Sequence, residues 1–75
     1  MTNDEIIQYY DYLIRLATSK CNSQSDAEDL VGDTMLAAFA YMNRGGVIDH
    51  PKTWLTPLVL NPFASYKILY FLQYS

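Results

Sequence analysis

Apolar residues in the middle of the chain return at three- and four-residue steps, the period of a helix with one dry side. At about 100° per residue, Ala27, Val31, Met35, Ala38 and Met42 fall within an arc of about 80°, flanked by Leu30, Thr34 and Phe39. Ser25 and Glu28 have the spacing of a capping box, in which each side chain accepts from the other residue's amide. Asp26, Asp29 and Asp33 lie within about 60° of one another on a different face, beside Ala37 and Ala40. The pattern predicts a helix over residues 25–42 with a core side and an acidic ridge above small residues.

Upstream, Ile6, Tyr10, Leu13, Ile14, Ala17 and Cys21 keep the same period and predict a first helix over about residues 3–20. Thr2 and Glu5 form a second capping box at its start. Tyr9, Tyr10 and Tyr12 are read as core and boundary aromatics, because a base-stacking platform usually comes with a basic groove. The polar connector Asn22–Ser25 is short, so the second helix is expected to return antiparallel to the first. Asn43-Arg44-Gly45-Gly46 closes that second helix through the left-handed conformation that glycine adopts without strain. Gly32 is a defect inside it, of roughly 1 kcal/mol against Ala.

After a loop at Val47–His50, Pro51 suits the first position of a third helix, with Asp49 or His50 as its cap. Pro57 is expected to disturb that helix, since its ring opposes the carbonyl of Thr53 and a hydrogen bond is lost. Pro62 stops or restarts the chain, with Asn61 placed to cap a new segment. The tail from Phe63 to Ser75 is aromatic and nearly uncharged. We read it as a short fourth helix on the first two; a β-like run and a membrane segment are the alternatives. Two prolines and Lys67 interrupt the membrane alternative. The fold class is thus all-α: a small three-helix domain over residues 1–75, with a bent or additional short C-terminal helix.

Charge narrows the function. The net charge is −3, with −5 in residues 1–33 and +2 in residues 34–75. A domain holding duplex DNA by its own phosphate contacts would carry more Lys and Arg, so the acidic half points to a basic protein partner. Cys21 stands alone, which excludes an internal disulfide or a cysteine metal cage and fits a reducing, cytoplasmic setting. The acidic start Met1–Glu5 does not read as a signal peptide. His50 has no further ligand at metal spacing, and the carboxylates of residues 26–29 are explained by capping and the helix dipole. No catalytic constellation, metal site or cofactor motif emerges, and an enzyme is not expected.

The tract from Asp26 to Ala38, Asp-Ala-Glu-Asp-Leu-Val-x-Asp-Thr-Met-Leu-x-Ala, resembles the second conserved helix in region 2 of bacterial sigma-70 family factors. The likeness is greatest to the extracytoplasmic-function group, whose pattern runs Asp-Ala-Glu-Asp-Leu-Val-Gln-Glu-Thr-Phe-Leu-x-Ala-Trp. It extends through Pro51-Lys52-Thr53-Trp54-Leu55, similar to the family's next helix start, and covers about residues 5–55. The resemblance implies a cytoplasmic transcription-initiation domain. It implies that Asp26, Asp29, Leu30, Asp33, Thr34 and Ala37 dock on the clamp helices of the largest subunit of core RNA polymerase. It also implies contact with the single-stranded promoter −10 region at His50, Lys52, Thr53, Trp54 and Asn61, with Arg44 supplying further charge. Trp54 reads first as a core residue. An anti-sigma factor is a further partner that the resemblance suggests.

The chain also departs from the pattern. Gly32 stands where the family has Gln, Leu60 where it has Arg, and the basic run beyond them is replaced by the aromatic tail. It therefore reads as a truncated or frame-altered relative of a longer factor. A second class of function stays open. That is a helical interaction module that does not bind DNA: a sigma remnant, a polymerase competitor, or a homo-oligomer held by the tail.

Overall fold

The computed structural model describes residues 3–74, and every regular element among them is an α-helix. Five helices succeed one another: α1 (Asn3–Ile7), α2 (Tyr10–Thr18), α3 (Gln24–Asn43), α4 (Pro51–Leu60) and α5 (Pro62–Tyr74). The longest, α3, is the centre, and α2, α4 and α5 all pack against it. One core joins Ile6, Leu13 and Ala17 to Ala27, Val31, Met35 and Ala38 of α3 and to Ile48, Leu55 and Val59. The predicted arc on α3 is therefore its dry side, with Met42 half-buried at the end.

The single helix expected over residues 3–20 is instead two. The Tyr9 amide donates to the Ile6 carbonyl at 3.0 Å, a three-residue step that overwinds the chain between α1 and α2. Ile6 and Leu13 are both sealed, whereas Tyr10, expected at the middle of the dry arc, is turned out to solvent. The capping box proposed for Thr2 lies outside the described residues.

The second helix starts earlier than the capping box of Ser25 and Glu28 implied. Ser23 is the N-cap, with extended backbone (φ −146°, ψ 160°), and its hydroxyl accepts from the Asp26 amide at 3.1 Å. Glu28 accepts instead from Gln24 Nε2, one helical turn back, at 3.5 Å. Ser-x-x-Asp at residues 23–26 thus outcompetes Ser-x-x-Glu at residues 25–28, because it adds two residues of helix and still satisfies an end amide.

At its other end α3 closes as expected. The Gly46 amide donates to the Tyr41 carbonyl at 2.9 Å and the Gly45 amide to the Met42 carbonyl at 3.0 Å, the paired bonds of a Schellman motif. Gly45 takes φ +93°, which a side chain would resist. Pro51 opens α4 behind His50, which is its N-cap without a side-chain cap bond.

Pro57 does not end α4. The helix runs through it to Leu60, since Leu55, Leu58 and Val59 are buried on both sides of the missing bond and Pro57 itself faces out. The break falls at Asn61, extended at φ −133° and ψ 91° as a residue before proline must be. The tail is the helix α5, so the strand reading is overturned. No described helix is long and apolar enough to cross a membrane. α5 packs mainly on α3 and α4, not across the first helix as expected.

Candidate functional site

Two groups of residues were singled out, and the fold treats them differently. In the first half of α3, Asp26 and Asp29 are exposed and Asp33 is half-exposed. Their backbone positions share one side of the helix, one turn apart. Leu30 is half-buried and packs on the core. Ser23 caps the helix beneath Asp26, and carboxylates near a helix start are favoured by the positive end of its dipole.

Thr34 and Ala37 do not join that surface. Both are fully buried. The Thr34 hydroxyl donates to the Leu30 carbonyl at 3.0 Å, which satisfies it inside the fold. Ala37 lies between Ala40 and Tyr41 on the helix surface, and each of these lines a groove shared with α5: Ala40 with Leu69 and Leu72, Tyr41 with Ile68 and Phe71. Helix α5 thus covers the second half of the ridge and leaves the carboxylates of the first half open.

The second group gathers only in part. His50, Thr53 and Trp54 line one shallow groove of about 290 Å³ with Val47, Ile48 and Asp49. Trp54 is half-buried against the core, as read, and its ring lies 5.3 Å from that of Tyr41 at 34°. The side wall of the groove is therefore a fixed aromatic with one edge open. Val47, Asp49 and Tyr41 belong to this arrangement, although Asp49 had been marked only as a candidate helix cap and the other two not at all. For Tyr41 a signal was present: it stands five residues before Gly46, where a Schellman closure brings the two together.

Lys52 lies elsewhere. Its Nζ sits 4.8 Å from the centroid of the Tyr12 ring on α2, and the Tyr12 hydroxyl shares a 3.0 Å hydrogen bond with Thr56 Oγ1. Lys52 and Thr56, one turn apart on α4, thus grip one tyrosine and seam α2 to α4. Asn61 caps the far end of α4, about 16 Å along the helix from His50 by its rise per residue. Arg44 caps α3 and lines a different groove, with Leu36, Leu69 and Leu72. The six residues expected to form one nucleic-acid site therefore occupy four places, with only His50, Thr53 and Trp54 together.

Comparison with known families decides the identity. The model of the family described as Sigma-70 region 2 matches residues 6–67, from α1 into α5. The chain belongs to the sigma-70 region 2 family. No curated protein and no solved structure gave a match. The match runs past Leu55, where the motif resemblance stopped, so α4 and the first half of the aromatic helix belong to the domain. As a sigma region 2 domain, the chain is a helical module of the transcription-initiation machinery that works with RNA polymerase.

Proposed function

We propose that this sigma region 2 domain tethers itself to core RNA polymerase through the first half of α3, with Asp26, Asp29 and Asp33 meeting arginines on the clamp helices of the largest subunit. The observation that carries this is the exposure of Asp26 and Asp29 beside the partly open Asp33, with no described cation bonded to any of them. Arginine meets carboxylate through charge-assisted, often paired hydrogen bonds, and Leu30 offers a rim for apolar approach. Thr34 and Ala37 support that surface from inside. The wording of the α3 motif favours the extracytoplasmic-function type, and the work belongs in the cytoplasm, where polymerase is.

Promoter contact is the second element of the proposal. The groove of His50, Thr53 and Trp54 suits one unstacked base of the −10 strand, with the open part of Trp54 for apolar contact and His50 and Thr53 for hydrogen bonds. At −3 overall, the domain holds such a strand only when polymerase supplies the charge for its backbone.

Capture by immobilised core polymerase tests the first element. Asp29→Arg is exposed and leaves the core untouched, and it should abolish capture while the helical circular dichroism stays the same. Undiminished capture of this variant would remove α3 as the attachment. A gel shift of a −10 single strand by the polymerase complex, compared with His50→Ala, tests the second.

A further inference from the structure

The outward side of α3 does not end at its carboxylates. Asp29, Asp33, Leu36, Ala40 and Asn43 follow one another at steps of four, three, four and three, within an arc of about 80°. All five are exposed or half-buried, so the fold leaves open the repeat by which one helix packs along another. Leu36 stands in the middle, 55% exposed. It lines two grooves. One, of about 410 Å³, is shared with Phe39, Ala40, Met42 and Asn43. The other, of about 390 Å³, joins Leu36 and Ala40 to Leu69 and Leu72 of α5. Leu36 is therefore the high point of a contiguous apolar patch built by two helices, not a single stray leucine.

Charge selects the occupant. The seam passes from Asp29 and Asp33 to Leu36 and Ala40, and Arg44 stands just past its end. A helix that fits it carries cations along one part and apolar side chains in the turn beyond them. A second copy of the chain fits less well, because Asp26, Asp29 and Asp33 of one copy would find Arg44 alone beside the seam of the other. A nucleic-acid strand would bring its phosphates against the same carboxylates.

We propose that Leu36, with Phe39 and Ala40 of α3 and Leu69 and Leu72 of α5 around it, is the apolar anchor of the contact with core RNA polymerase, which rests on the attachment through α3 proposed above. One helix of the polymerase meets Asp29 and Asp33 with its arginines and seats an apolar side chain against Leu36, one turn beyond Asp33. The carboxylates and the leucine then have different tasks. Ion pairs at an exposed rim steer the encounter and weaken with salt, whereas a desolvated apolar contact holds the complex and is not screened. Helix α5 belongs to the polymerase surface through Leu69 and Leu72.

Titration of immobilised core polymerase with the full chain, at low and at high salt, tests it. Leu36→Ala should weaken binding about ten-fold at both, with unchanged helical circular dichroism. Leu36→Met, of similar volume, should keep the affinity. Asp29→Ala should weaken binding mainly at low salt. Wild-type affinity in Leu36→Ala, with capture still lost in Asp29→Arg, overturns the anchor and leaves the attachment through the carboxylates standing. Capture retained by Asp29→Arg overturns both. A loss in Leu36→Ala that vanishes at high salt overturns the apolar role. A wild type that sediments at twice 8.6 kDa, and as a monomer once Leu36 is replaced by Ala, assigns the seam to a second copy and overturns the anchor too.

Discussion

Tyr41 near the end of α3 and Trp54 in the first turns of α4 stack at 5.3 Å, tilted by 34°. The contact spans a seven-residue connection from Arg44 to His50 and fixes how α4 leaves α3. Gly46 makes it available. A Cβ at this position would overlap the Tyr41 ring, so the ring lies directly over the glycine.

Gly46→Ala should therefore displace Tyr41 from Trp54 and cost about 1–3 kcal/mol, the range for forcing atoms into an occupied site. Trp54 is the only tryptophan, and its emission reports the change directly. Urea unfolding monitored by that emission should show a lower midpoint with an altered folded-state signal. An unchanged midpoint and spectrum would mean that the ring moves aside freely.

Gly32 behaves in the opposite way. It is exposed in the interior of α3, and a Cβ there meets nothing within 4 Å. Gly32→Ala should add about 1 kcal/mol by restricting the unfolded chain and favouring helix. For a domain of this size that raises the thermal midpoint by about 4–8 °C. A lower midpoint would contradict the open surroundings of this position.

The hydrogen bond between Tyr12 and Thr56 ties α2 to α4 across forty-four residues of chain. Tyr12→Phe keeps the ring beneath Lys52 and removes only the hydroxyl, for an expected loss of about 1 kcal/mol. A double-mutant cycle with Thr56→Val isolates the pair, and a coupling of about 0.5–1.5 kcal/mol is expected. Strict additivity would show that water replaces the bond without loss.

Ser65 is the buried hydroxyl without a partner among the described residues, at 1% exposure on the covered side of α5. Burying an unbonded hydroxyl costs about 1–3 kcal/mol. Ser65→Ala should accordingly stabilise the fold by about 1 kcal/mol, seen as a higher urea midpoint. Destabilisation would reveal a partner for the hydroxyl in solution.

Local pattern was enough for much of this molecule. The dry arc of α3, its closure at Gly45 and Gly46, the start of α4 at Pro51 and the restart at Pro62 all come from period, caps and ring constraints between near neighbours in the chain. The family's wording in α3 was legible for the same reason, since motif and helix coincide there. The rest depended on which element covers which side. Tyr10 is turned out at the break between α1 and α2 while Leu13 and Ala17 of the same helix stay sealed, and no periodicity marks that break. Ala37 lost its surface beside the grooves that α3 shares with α5, Thr34 was sealed inside the fold, and Lys52 turned to Tyr12, because helices distant in sequence met there. Periodicity groups residues on a face. Only packing decides whether that face meets water, a neighbouring helix or another molecule, because burial is a property of the pair of surfaces in contact.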